Sequence, residues 1–378
     1  MSTEIGKQRL LFVVNDPAFF RSHRLPLAIG AIEAGYDVWL ASPPGDAVAD
    51  LTAVGITHIA WSLVRASMNP LRELEALAVM SKVIARVKPD VMHMITMKPV
   101  LYCGVLARAH RVPLTVSAIS GLGYTFLAQG TRAAVLRRGL LGAFRAALGS
   151  SRSRVIFQNP DDRDLFLAHS IVKPKHVRMI FGSGTDLSAF DLREEVEGPP
   201  VVLLPARMLW DKGVREFVEA AKILRERGHE ARFVLSGNSD DQNPAAVPQA
   251  QLNGWNSEGV VEWLPHASKI APRLASAHIV ALPSYREGFP KTLIDAAAAG
   301  RAVVTTDVPG CRDAIIPNKT GLLVPAKDSI RLASAIESLL IDSAKRQAFG
   351  KAGRALAEEK YSIEDVVAQH LAIYAEAP

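Results

Sequence analysis

Two acids, Glu287 and Asp295, and two cations, Arg207 and Lys212, are the residues of this chain best placed for chemistry on a charged ligand. Glu287 opens the loop Glu287-Gly288-Phe289-Pro290, between an apolar run from Ile279 to Leu282 and a helical stretch from about Lys291 to Ala299. Gly300 ends that helix, and Ala302 to Thr305 reads as the next strand. The segment is thus strand, loop, helix, strand. Its polar residues fall outside the carboxyl ends of buried parallel strands, where open α/β sheets bind ligands. The helix start offers free N–H groups and partial positive charge, which suits a phosphate. Gly288 lets the backbone come close, and Pro290 fixes the chain before Lys291 and Thr292 begin the helix. Asp295, four residues after Lys291, can face the same mouth. A phosphate between two carboxylates that accept from hydroxyls describes a nucleotide-sugar, with ribose at one acid and sugar at the other.

Arg207 and Lys212 flank a loop that follows the strand Val201 to Leu204 and precedes a helix from about Val214 to Arg227. Two fixed cations there neutralise a diphosphate leaving group without metal, and their value rises as charge builds in the transition state. A further strand, Arg232 to Ser236, leads into the turn at Gly237. Asp240 and Asp241 follow it as an adjacent pair of acids, without the D-x-D spacing. The bland reading of each residue alone is a solvated loop charge; their co-occurrence favours a site.

The elements that hold these residues belong to a long chain. At 378 residues it exceeds one ordinary core, and two domains are the natural expectation. The boundaries read as 1–190, a charged linker ending in Gly-Pro-Pro at 191–200, a second domain at 201–360, and a last helix at 361–378. Apolar residues make up 49% and charged ones 22%, an ordinary globular balance. No run approaches the ~18 apolar residues of a membrane span, and the start reads as a first strand, not a signal peptide. Cys103 and Cys311 give neither a disulfide framework nor a metal spacing, and cytoplasmic residence follows. The net charge of +6 favours an anionic partner. Nucleic acid is disfavoured because aromatics are only 6% and are not interleaved with the basic residues.

In the first half, a strand from Arg9 to Val14, a loop from Asn15 to Phe20, a helix from about Ser22 to Ala34 and a strand from Asp37 to Ala41 form a β-α-β opening. The dinucleotide fingerprint is missing from its first turn, which argues against an oxidoreductase. Residues 89–96 form a buried strand, in which His93 reads as a core residue. Lys98 then opposes a helix dipole, so either an anionic ligand accounts for it or it is simply solvated. Gly121 and Gly123 form a loop whose backbone is available to a sugar or acceptor. Residues 131–154 place Val135, Leu136, Leu140, Leu141, Phe144 and Leu148 at helical spacing, with four arginines interleaved. Two readings stay open: peripheral contact with an anionic membrane, or a domain-surface helix with its apolar stripe in the core.

The whole pattern resembles the retaining glycosyltransferases of family 4, in the branch of bacterial polysaccharide and lipid-linked oligosaccharide N-acetylhexosaminyltransferases. Glu287 matches the first acid of that family's E-x7-E signature, which contacts the donor sugar, and Asp295 the second, which holds the ribose. The family prefers Glu at the second position. Arg207 and Lys212, followed by Gly213, match its diphosphate-binding motif, and Gly237 its turn near the base. Gly182-Ser-Gly-Thr-Asp186 is similar to its G-V-D turn, with Thr185 for the usual Val. The run Phe19 to Pro26 is similar to a branch motif that places His23 and Arg24 at a helix entrance on the acceptor side; a capped surface His is an equal reading of His23. Ser120 stands where many members have His, so no catalytic His is carried over. The resemblance implies an α/β fold of GT-B type, two Rossmann-like domains with parallel sheets facing a cleft, and a last helix that returns to the first domain. It implies retaining, metal-independent and cofactor-free transfer from a UDP-sugar, expected to be an N-acetylhexosamine, to a polyprenyl-diphosphate-linked glycan. A nucleotide-sugar epimerase and a non-catalytic nucleotide-sugar-binding subunit are the alternatives.

Overall fold

Short runs of Val, Ile and Leu alternate along the chain with longer stretches of helical period, and strands and helices alternate accordingly. The computed structural model describes residues 7–61, 69–121, 131–192, 194–240, 243–267 and 269–378, with backbone alone at 70 and 131–135. The chain divides into two compact units, Met1–Ser183 with Ile363–Pro378, and Gly184–Ser362. The crossing at Ser183–Gly184 lies upstream of the charged stretch 191–200. That stretch is held to the second unit: Phe190, just before it, is buried in that unit's core, and Glu195 accepts from Arg346 Nε and Nη2 at 2.7 Å each.

The first unit contains strands β1 (Arg9–Val13), β2 (Asp37–Ser42), β3 (Thr57–Ala60), β4 (Val91–Ile95), β5 (Leu114–Ile119), β6 (Ser153–Phe157) and β7 (Val177–Met179). Its helices are α1 (Pro17–Glu33), α2 (Ala47–Ala53), α3 (Pro70–Val87), α4 (Met97–Ala109), α5 (Thr131–Leu148) and α6 (Pro160–Ala168). Among the described residues the strands pair in parallel in the order β3-β2-β1-β4-β5-β6-β7.

The second unit contains β8 (Val201–Pro205), α7 (Val214–Glu226), β9 (Arg232–Ser236), α8 (Gln249–Ser257), β10 (Glu262–Leu264), α9 (Ala271–Ser276) and β11 (Ile279–Leu282). It continues with α10 (Lys291–Ala298), β12 (Ala302–Thr306), β13 (Gly321–Val324), α11 (Ser329–Ile341) and α12 (Ser343–Lys360). Its parallel sheet runs β10-β9-β8-β11-β12-β13, so the strand order reverses between β8 and β11. Such a reversal opens a crevice at the carboxyl ends of the two strands. The final helix, α13 (Ile363–Tyr374), buries Val366, Ile373 and Tyr374 in the first unit's core beside Phe12, Phe20 and Ala28.

Two expectations for the first unit need correction, and the packing of its fifth helix is now visible. Helix α1 starts five residues before Ser22, because Asp16 caps the N–H groups of Ala18 and Phe19 and Pro17 suits the first helical position. His23 and Arg24 are therefore mid-helix, not at an entrance. Arg24 is only 2% exposed and lies inside the core, so no ligand contact is built on it. Lys98 does stand in the first turn of α4, but Glu73 of α3 pairs with it at 3.1 Å and answers the dipole conflict. In α5, Leu141, Phe144 and Leu148 pack into the core with Val100, Cys103 and Ala107, while Leu136 stays exposed. The apolar stripe is thus a core stripe, and what faces outward is Leu136, Arg137 and Arg138. Val135 lies outside the described side chains.

Beneath α13 sits a cluster of buried polar groups. His93 Nδ1 lies 2.6 Å from the Tyr374 hydroxyl, and the His93 and His370 rings stack at 5.6 Å. Burial, with Arg24 nearby, pushes His370 down to about 3; burial, His370 and Arg24 push His93 well below its ordinary range. The folded protein thus keeps both rings neutral at pH values where the unfolded chain protonates them, near 6.5 and below. The stability this cluster confers is complete above about pH 6.5 and is lost as pH falls, at about 1.4 kcal/mol per pH unit for each histidine. Urea unfolding between pH 6.5 and 5 should show that slope, and His370→Gln should remove about one proton's share. An unchanged slope in the variant would contradict the assignment.

Candidate active site

The second unit's sheet delivers the sequence-predicted residues to its carboxyl edge. Arg207 and Lys212 lie on the loop after β8, Gly237 immediately after β9, and Glu287 between β11 and α10. The β8 and β11 loops meet at the strand-order reversal. Gly213, at φ +73°, stands where a Cβ would lie 2.2 Å from the Pro283 carbonyl oxygen, so only glycine fits. The Tyr285 N–H donates to the Asp211 carbonyl at 2.9 Å and ties the same two loops together.

That approach creates the central contact. The Lys212 ammonium pairs with Glu287 Oε1, and the Ser284 hydroxyl donates to the same oxygen at 2.7 Å. Both partners are largely buried, with 18% and 12% of their side chains exposed. Arg207 is more open, with Asp240 3.5 Å away, so its guanidinium stays accessible. Lys212 and Glu287 meet between the β8 and β11 loops, and Arg207, on the same β8 loop, has Asp240 as its ionic neighbour.

Helix α10 begins at Lys291 with Pro290 at its cap, and no side chain caps its first N–H groups. Those donors point out of the carboxyl edge of the sheet. The Phe289 ring packs at 5.5 Å on Tyr361 in the core, so this residue presents only its backbone. The Thr292 hydroxyl donates to the Pro205 carbonyl at 2.8 Å and pins α10 to the end of β8. Asp295 is 5% exposed, and its Oδ1 accepts from Lys291 Nζ and from Thr185 Oγ1, each at 2.7 Å. Gly237 donates its N–H to Leu264 O at 3.0 Å and accepts from the Trp263 indole at 2.9 Å, which fixes the turn after β9.

Two functional partners escaped the sequence reading. Ser284, three residues before Glu287, carries no motif of its own, and the Thr185–Asp295 contact spans 110 positions. Cys311 is buried, and burial pushes its thiol up to about 12, so it is an inert packing residue. In the first unit, His23 stacks on Phe19 at 4.3 Å with its Nδ1 2.7 Å from the Ser22 hydroxyl. Gly121 follows β5 at φ +107°, and Gly123 lies outside the described residues. Among the described residues no group of three His, Cys, Asp or Glu side chains is arranged as metal ligands would be.

A two-unit α/β protein with a charged crevice at a strand-order reversal is the architecture of the GT-B glycosyltransferases, and comparison with known proteins agrees. Residues 189–356 match the family model described as glycosyl transferases group 1, and residues 9–159 match that described as glycosyl transferase 4-like. The chain belongs to this glycosyltransferase family and is an enzyme of that class. It is 28% identical, over 97% of its length and 98% of the relative's, to the N,N'-diacetylbacillosaminyl-diphospho-undecaprenol alpha-1,3-N-acetylgalactosaminyltransferase of Campylobacter jejuni. Among solved structures, sucrose-phosphate synthase from Thermosynechococcus elongatus superposes with a TM-score of 0.78 at 22% identity, covering 98% of this chain and 99% of that one. Anabaena HepE, solved with UDP and glucose, superposes with a TM-score of 0.78 at 16% identity, covering 98% and 100%.

The geometry around Glu287 has a direct test in Gly310. At φ +80°, a Cβ there would lie 2.6 Å from the carbonyl oxygens of both Glu287 and Gly288. Gly310→Ala should therefore lower stability by about 1–3 kcal/mol in urea unfolding, because backbone must shift to make room. Wild-type stability would show that the Glu287 loop yields freely.

Proposed function

We propose that this glycosyltransferase moves an N-acetylhexosamine from a UDP-sugar to a polyprenyl-diphosphate-linked glycan, with retention of configuration and without metal. The observation that carries the reading is the Lys212–Glu287 pair at the strand-order reversal, with Arg207 on the same loop as Lys212. Arg207, Lys212 and the backbone at the start of α10, from Lys291 and Thr292, hold the diphosphate. Asp295 faces the ribose, the turn at Gly237 lies by the base, and Glu287 with the backbone of Gly288, Phe289 and Pro290 orients the sugar. The Campylobacter relative, whose name specifies an N-acetylgalactosamine transferred to a diphospho-undecaprenol-linked sugar, supports the choice of substrates. In the first unit, His23 and Gly121 are the described acceptor-side candidates.

In the reaction the bond from the sugar's anomeric carbon to the β-phosphate oxygen breaks, and the acceptor oxygen bonds to that carbon on the same face. The acceptor's proton passes to the departing phosphate oxygen, so no protein base is required. Arg207 and Lys212 gain most as negative charge accumulates on the phosphate, and they supply the charge a metal would otherwise bring. Glu287, pinned by Ser284 and Lys212, places a negative group against the developing oxocarbenium character of the sugar.

Glu287→Ala should lower kcat by about 100-fold or more while changing donor affinity far less. Unchanged turnover would remove Glu287 from the mechanism. EDTA should leave the rate unaltered, and donor incubated alone should yield no epimer. A metal requirement would overturn the cationic account, and epimer formation would favour an epimerase.

No helix among the described residues is long and apolar enough to cross a membrane. We further propose peripheral contact through exposed Leu136, Arg137 and Arg138. Each basic residue near an anionic surface adds about 1 kcal/mol. Co-sedimentation with phosphatidylglycerol vesicles should fall in the Arg137→Ala/Arg138→Ala variant and at high salt; equal sedimentation would exclude this face.

A further inference from the structure

We infer that Thr185 is a positioning residue for the ribose-facing acid, and that its hydroxyl makes Asp295 serviceable at a position where the resembling family carries Glu. The inference rests on the donor-site reading above. The chain departs from the family pattern both at Thr185, where Val is usual, and at Asp295, and these two residues touch. Thr185 Oγ1 donates to Asp295 Oδ1 at 2.7 Å. Lys291 Nζ donates to the same oxygen at 2.7 Å. Both bonds saturate Oδ1 and leave Oδ2 as the acceptor available to a ribose hydroxyl.

Sterics and electrostatics point the same way. Asp295 is 5% and Thr185 1% exposed, so a carboxylate here is worth keeping only with its hydrogen bonds made. A Glu carboxyl, one methylene longer, would reach the ribose without the Thr185 hydroxyl to place it. A valine at 185 would put an isosteric methyl group where that hydroxyl stands, and a methyl group donates no hydrogen bond to the shorter acid. Thr185 is itself anchored: its N–H donates to Tyr361 O at 2.9 Å, and it bridges to Ser362. The rotamer of Asp295 is therefore set from outside its own helix, by a residue without direct access to the ligand.

The test compares UDP with 2′,3′-dideoxy-UDP by calorimetry on the full chain, in the wild type and in Thr185→Val, Thr185→Ser, Asp295→Asn and Thr185→Val/Asp295→Glu. Circular dichroism and thermal melting confirm that each is folded. Thr185→Val should weaken UDP about tenfold, the loss expected for one hydrogen bond to a charged group, and leave dideoxy-UDP nearly unchanged. Thr185→Ser should bind as wild type, and the double variant should recover UDP binding that Thr185→Val loses. A purely structural Thr185 would weaken both nucleotides alike. Wild-type discrimination in Thr185→Val, with discrimination lost in Asp295→Asn, would overturn this inference alone. Discrimination retained in Asp295→Asn, or no UDP binding by the wild type, would overturn the ribose assignment and the inference with it.

Discussion

The contact on which the site depends is the ion pair between Lys212 and Glu287, formed across two loops that leave neighbouring strands in opposite directions of the sheet order. Partly buried charges of this kind cost desolvation, and neither would sit there without the other. The backbone holds the two loops together around the pair: Gly213 lets the β8 loop lie against Pro283, and the Tyr285 N–H donates to the Asp211 carbonyl. The Ser284 hydroxyl satisfies a further lone pair of Glu287. The pair is thus preorganised by backbone, and the diphosphate of the proposed donor would meet a cation already in position.

A second layer of support lies one turn deeper. Thr292 fastens α10 to the end of β8, Phe289 buries its ring, and Gly310 lets the following loop close over Glu287. These residues keep the helix N-terminus aimed at the crevice. Asp295 is held by the side chains of Thr185 and Lys291, as Glu287 is by those of Lys212 and Ser284. The first unit shows the opposite use of polar groups. Arg24, His93, His370 and Tyr374 are spent on docking α13, deep in a core of Phe12, Phe20 and Leu27.

Much of this was legible in the sequence because parallel α/β folds write themselves in local patterns. Buried strands such as Val201–Pro205 and Ile279–Leu282 are continuous apolar runs, and glycines and prolines mark where α10 begins and ends. The fold class follows from those patterns, and the glycosyltransferase family from the resemblance carried by Arg207, Lys212 and the spacing of Glu287 and Asp295. What was not legible depends on distant partners. The short strand Thr57–Ala60, the edge strand Gly321–Val324 and the seven-residue helix α2 draw no assignment, because short or half-exposed segments carry little periodic signal. The start of α1 was misplaced because the capping geometry of Asp16-Pro17 was read as a turn. Arg24 reads as a ligand contact, and Lys98 as either that or a solvated lysine, because sequence shows a charge but not the core or the Glu73 that receives it.

The account stands most directly on where a nucleotide-sugar binds. A crystal structure of the chain soaked with UDP-N-acetylglucosamine should show the β-phosphate within hydrogen-bond distance of Arg207 and Lys212, with Glu287 against the sugar. Diphosphate density in any other place, with the Lys212–Glu287 pair untouched by ligand, would contradict it.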